Sequence, residues 1–178
     1  MFVVIIIAAS SGGNDQEAIG EPGRGQGGGN TAATKTEVQE EQRTITEAGG
    51  TVTTKNFIVT VEAFNKLQGN QFNRPADGNE FWEVVLIVEN KSDKEYNVSS
   101  ILMFDAYQDG YSINESLSAQ VANESTSTMD GGLASGKKLR GALAYELPET
   151  WEELEIQVDL TTLSFSADGE IEIILRNE

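Results

Sequence analysis

The residues best suited to chemistry in this chain are carboxylates grouped near turns. Asp77, Asn79 and Glu80 fall together ahead of an apolar run, and Asp105, Asp109 and Asp130 fall near the ends of others. Calcium is held by oxygen ligands of this kind, and loops at the ends of an extracellular sandwich are a common place for it. None of these residues repeats the spaced pattern of a calcium loop, however, and Asp and Asn beside Gly are ordinary turn formers. Glu152, Glu153 and Glu155 offer paired carboxylates for acid–base work. Alternation along a strand puts Glu153 and Glu155 on one outward face, which reads as solvated surface. The chain has no histidine and no cysteine. The usual general base, the usual zinc ligand, the histidine triads, thiolate metal sites and disulfides are therefore all absent. No residue is assigned a catalytic, cofactor-binding or metal-ligating role, no cofactor is expected, and the chain is read as a non-enzyme.

Charge narrows the partners. The formal net charge is −17, and from Thr51 onward 22 acidic residues face 9 basic ones. From Glu146 to Glu178 there are ten acids and one base, Arg176. Binding to a phosphate backbone requires clustered Lys and Arg that release counterions. Nucleic acid is excluded as a partner on this ground, and anionic lipid headgroups are disfavoured by the same repulsion. The ordinary role of such acidity is solubility.

Three further motifs dissolve into simpler readings. Gly23-Arg24-Gly25-Gln26-Gly27 has the look of a phosphate loop, but no strand precedes it and no Gly-Lys-Ser/Thr follows, so a linker is expected. Four Asn-X-Ser sequons begin at Asn90, Asn97, Asn114 and Asn123; they would matter in a eukaryotic secretory pathway and are otherwise read as chance in Ser- and Asn-rich loops. Of the two tryptophans, Trp82 sits in a predicted strand and is expected in the core. Trp151, at a corner after Pro148, is expected to be partly exposed, packing its loop or anchoring a partner.

The elements that position these residues follow a period of two from Gly49 on. Phe57, Val59, Val61 and Ala63 share one face of a strand, with Thr51 to Thr54 as its hairpin partner across a Lys55-Asn56 turn. Glu80 to Glu89 is apolar on both faces and reads as a central strand. Ser99 to Gln108 is predicted as a strand with Leu102, Phe104 and Ala106 inward, turned by Asp109-Gly110 into Tyr111 to Asn114. A polar loop is expected from Glu115 to Gly136. Strands Lys138 to Leu147, Glu153 to Leu160 and Glu170 to Arg176 complete the set. About eight short strands without a long helical period indicate an all-β, antiparallel β-sandwich.

The amino-terminal third is read differently. Phe2 to Ala9 is an unbroken apolar run ending in small residues, too short to span a bilayer, which takes about 20 residues. It has the character of the later part of a signal peptide, without the positive start. Ile7-Ala8-Ala9 resembles a lipoprotein cleavage site, but Ser10 stands where the lipid-bearing cysteine belongs. Residues 1–10 are therefore assigned as a signal-peptide remnant. Residues 11–48 are assigned as a disordered, Gly-rich linker, and 49–178 as the folded domain.

The run Pro75 to Trp82, then Val84 to Tyr96, resembles a family of immunoglobulin-like domains of unknown function in bacterial surface lipoproteins. The resemblance continues through Ser99 to Phe104 and Asp109-Gly110-Tyr111, and resumes in the loop-to-strand stretch Gly131 to Gly141. It implies an immunoglobulin-like sandwich, similar in fold to the secreted immunoprotective antigen of mycobacteria. It implies an exported, tethered, non-enzymatic module, and carries no catalytic residues to transfer. The expected function is a cell-envelope or extracellular binding module whose partner is a protein or wall component, with membrane contact only through an N-terminal tether. The alternative is a small secreted enzyme working through carboxylates, or a calcium-dependent ligand-binding protein.

Overall fold

A computed structural model describes residues 43–122, 127–164 and 168–177, all within one compact unit, 40–178. The expected apolar segment 1–10, the phosphate-loop look-alike and the linker as far as residue 42 lie outside the described residues. In chain order the elements are β1 (Thr44–Ile45), β2 (Thr51–Thr53), β3 (Phe57–Leu67), β4 (Asn79–Asn90), β5 (Tyr96–Val98), α1 (Ser100–Met103), β6 (Phe104–Gln108), β7 (Tyr111–Ile113), α2 (Leu117–Ala122), β8 (Gly131–Leu133), β9 (Lys138–Pro148), β10 (Glu153–Asp159), α3 (Thr161–Ser164) and β11 (Glu170–Arg176). No helix among the described residues is long and apolar enough to cross a membrane.

Two sheets face each other. One has the order β2-β3-β4-β9 and is antiparallel throughout; the other has the order β1-β11-β10-β6-β7. A β5-β8 ribbon stands beside them. The β2–β3 hairpin closes as the Lys55-Asn56 turn predicts, with the Thr54 amide donating to Phe57 O at 2.8 Å. Phe57, Val59 and Val61 are fully buried, after which a bulge between Val61 and Ala63 shifts the register. β4 is hydrogen-bonded on both edges, to β3 and β9, and packed on both faces, which is why its sequence is apolar on both. Its inner face, Val84, Leu86 and Val88, meets Leu154, Ile156 and Val158 of β10 and Ile171, Ile173 and Leu175 of β11 in one core. Its outer face is covered too: Phe81 packs with Ala144 and with Ala119 of α2. At roughly 1.5–3 kcal/mol per large apolar side chain removed from water, the first cluster holds the sheets together and the second holds α2 on the outer face of one.

Several expectations are corrected. The folded unit starts before Gly49: β1 pairs in parallel with β11 (Thr44 opposite Glu172, Ile45 opposite Ile173), and Ile45 is buried. Two residues are too few for alternation to show. Ser99 to Gln108 is not one strand: α1 occupies its first half, leaving Leu102 exposed, and only Phe104–Gln108 extends. The Glu115 to Gly136 segment is not merely loop, for it supplies α2 and β8. The tryptophans exchange roles. Trp151 is 1% exposed, while Trp82 is half-buried with its Nε1 donating to Glu80 Oε2 at 3.1 Å. The tight Pro148 to Trp151 turn folds the indole back between the sheets, where it meets Trp82 edge-on at 5.3 Å and Phe64 edge-on at 5.8 Å. Trp82 lies nearer the open end of the sandwich, stacked on Phe64 at 4.6 Å.

Candidate functional site

The β6–β7 hairpin, α1, α2 and β9 line a half-open cavity of about 410 Å³. The hairpin is fixed by its turn, where Asp109 and Gly110 both take positive φ, 49° and 81°. A tight two-residue hairpin turn favours such residues. The Asp109 carboxylate then accepts the amides of Glu152 at 3.0 Å and Glu153 at 2.8 Å. Those bonds, Glu153's foremost, hold its carboxyl below the ordinary range. Asp109 therefore joins two strand ends and does not face the cavity.

Asp130 accepts the Ser100 amide at 2.9 Å and the Ser100 hydroxyl at 3.2 Å, tying the start of α1 to the segment before β8. Glu115 sits one residue ahead of Ser116, whose hydroxyl accepts the Ala119 amide at 3.2 Å and so caps α2. Burial is the main influence pushing the Glu115 carboxyl up. The Ser100 hydroxyl and the Ala144 backbone oppose this, while the Asp130 charge adds to it. Tyr145 forms part of the wall from β9, where burial and the charge of Glu115 push its phenol up. Two exposed apolar side chains, Ile101 and Leu117, also line the cavity. Among the described residues, Leu102 of α1, Tyr111 of β7 and Val121 of α2 are exposed as well, on the same elements.

The sequence-derived carboxylates are thus divided among different tasks. Asp105 and Asp130 do come together, in the cavity wall with Glu115. Glu80 is held by Lys66 and Trp82, and the Lys66 bond is the main cause of its lowered pKa. Asn79 donates to Glu146 at 3.0 Å, and Asp77 is exposed on the turn before it. Glu153 pairs with Arg176 at 2.7 Å and Glu155 accepts from Gln157 at 2.7 Å, on the outward face as read. Among the described residues no three carboxylates converge as a metal site. Of the sequons, Asn90 is fully buried, donating to Lys94 O at 2.6 Å and Leu133 O at 3.0 Å. It locks the β4–β5 turn and is closed to modification in the folded chain.

Glu115, Ser100 and Tyr145 were not anticipated. The Ser116-Leu117-Ser118-Ala119 start of a capped helix was the one available signal, and it was hidden in a polar stretch. A second cavity, of about 390 Å³, opens at the sandwich end beside Phe64, Trp82, Leu175 and Arg176.

Comparison with known proteins bears on the fold. The family model for the Domain of unknown function (DUF4352) matches residues 46–170. No curated protein matches the chain. Among solved structures, the candidate lipoprotein ycdA of Bacillus subtilis subsp. subtilis str. 168 aligns with a TM-score of 0.58 at 13% identity, over 73% of this chain and 39% of that one. The yjhA protein of Bacillus subtilis aligns with a TM-score of 0.55 at 16% identity, over 75% of this chain and 99% of that one. An uncharacterised β-sandwich protein of Clostridium difficile 630 aligns at 13% identity with a TM-score of 0.44, over 79% and 98%. The chain spans about two fifths of the length of ycdA.

Proposed function

Because the chain belongs to the family of the Domain of unknown function (DUF4352), we propose that it is a non-catalytic, immunoglobulin-like module that binds a protein or wall component at the outside of the cell envelope. The observation that carries the binding role is the cavity beneath β6 and β7, with the exposed apolar side chains of Ile101 and Leu117 in its wall. Exposed apolar side chains at a cavity, on a domain with so acidic a composition, are a common mark of an interaction site. The immunoglobulin-like reading rests on strand order. β1 lies parallel beside the last strand, followed by β10, β6 and β7, in a five-stranded sheet packed on a second, antiparallel one. That order is the one expected when the first strand of such a sandwich switches sheets to join the last. The export reading rests on the Phe2 to Ala9 run and on likeness to a candidate lipoprotein.

The test is retention of the purified chain on isolated cell walls and on immobilised envelope proteins, alongside the intact mass of native protein from medium and membrane fractions. Retention by one fraction, together with material in the medium starting near Ser11, is the expected result. Full-length protein inside the cell that no envelope fraction retains would overturn the proposal. The second reading, a carboxylate enzyme or calcium-dependent binder, is favoured by one observation, the up-shifted Glu115 carboxyl facing a cavity. Calcium-dependent melting or turnover lost in Glu115→Gln would select it.

A further inference from the structure

The cavity beneath β6 and β7 has features that a solvated surface dimple lacks. Its wall carries three carboxylates, Asp105, Glu115 and Asp130, and no lysine or arginine. The ion pairs among the described residues, such as Lys66–Glu80 and Arg176–Glu153, involve none of the three. Their charge is thus left without a protein cation. Tyr145 adds an independent sign. It is only 1% exposed and reaches the cavity wall, yet its hydroxyl makes no hydrogen bond to a described residue. The hydroxyl is not sealed off, so it opens onto the cavity and finds its hydrogen-bond partner there.

We propose that this cavity binds a primary alkylammonium group, with the ammonium among Glu115, Asp130 and Tyr145 and the alkyl chain against Phe104, Ile113 and Leu117. An ammonium has three donors and no acceptor, which suits a wall of carboxylate and phenol oxygens. The apolar part of the wall suits a methylene chain, and a bare metal ion would leave it unused. The carboxylates also fail to converge as a metal site requires. The volume, about 410 Å³, falls in the range of small-molecule pockets. Burial raises the Glu115 pKa, so affinity rises as pH rises through it.

The inference rests on the reading of the domain as a binding module and names what the site recognises. The test is titration of the full chain with cadaverine, against 1,5-pentanediol as the neutral isostere, by calorimetry and NMR. The expected result is saturable one-site binding of cadaverine and none of the diol. Affinity falls about tenfold or more in Glu115→Gln and several-fold in Tyr145→Phe, which keeps the ring and hence the core packing. Binding that is equal for amine and diol, unchanged in both variants, or replaced by calcium binding overturns it. Protein retained by walls that ignores cadaverine sinks this inference alone. Cadaverine binding by a chain that no envelope fraction retains sinks the envelope function alone.

Discussion

Trp151→Phe is expected to cost far less stability than its burial suggests. The indole is 1% exposed and fills the gap between the sheets against Trp82 and Phe64. Its Nε1 is buried without a hydrogen-bond partner. Phenylalanine retains a ring in the same gap and removes the nitrogen. The lost apolar burial, about 40 Å² at about 25 cal/mol per Å², amounts to about 1 kcal/mol. The small void adds about 1 kcal/mol. Against this, relief of one unsatisfied N–H returns about 1–3 kcal/mol. The net change is within about 1 kcal/mol of zero, whereas Trp151→Ala, which empties the site, costs about 3–5 kcal/mol. Urea unfolding followed by circular dichroism measures both variants against the parent, with unchanged m-values required for the comparison. If Trp151→Phe loses more than half of what Trp151→Ala loses, the indole N–H is satisfied in solution and the argument fails.

Three other expectations follow from single sites. At Gly141 a Cβ would lie 2.6 Å from Thr128 O and 2.7 Å from Met129 Cα, both backbone. Gly141→Ala should therefore lower stability by about 1–3 kcal/mol, read as a fall in melting temperature. Asp168 is fully buried and accepts the Asn56 amide at 2.9 Å and its side-chain amide at 2.6 Å, joining the β2–β3 turn to the start of β11. Asp168→Ala strands those donors and costs about 2–4 kcal/mol, while an unchanged unfolding midpoint would refute that role. Glu115 has a folded pKa above its unfolded value because of burial, so its ionisation opposes folding. Stability from this group is greatest below the unfolded value of 4.5 and falls as pH rises through the folded pKa. Glu115→Gln should raise the melting temperature at neutral pH and leave it unchanged at low pH, and a pH-independent difference would exclude the linkage.

The long strands were legible because their packing is periodic. Leu154, Ile156 and Val158, and Ile171, Ile173 and Leu175, alternate with polar residues and face one core. The central place of β4 was legible from apolar residues on both faces, although α2, the element that covers its outer face, was not. A helix of six residues within a Ser- and Asn-rich stretch carries too few apolar positions to show a period. β1, β5 and β8 have two or three residues each and are strands only because a partner edge lies beside them. Trp151 shows a different limit. Its corner position was plain, but the direction in which a turn throws its side chain depends on the sheets around it. The candidate cavity was half legible. Asp105 and Asp130 were visible as carboxylates near strand ends, while Glu115 and Tyr145 acquire meaning only where β9 passes beneath the β6–β7 hairpin.

The parallel seating of β1 on β11 has a mechanical consequence. Arg43 O accepts the Glu172 amide at 2.9 Å, Thr44 Oγ1 donates to Glu172 at 3.3 Å, and the Arg43 guanidinium reaches the Asp168 carbonyl. A pull on the chain from its N-terminal side runs along this seam. The ladder there is only two residues long and, being parallel, slightly weaker per residue than an antiparallel one. Just behind the seam, Ile45 is buried in the core opposite Ile173. A domain held by that end while gripping something at the β6–β7 end would meet tension first at a short clasp, ahead of the sheets that shape its cavity.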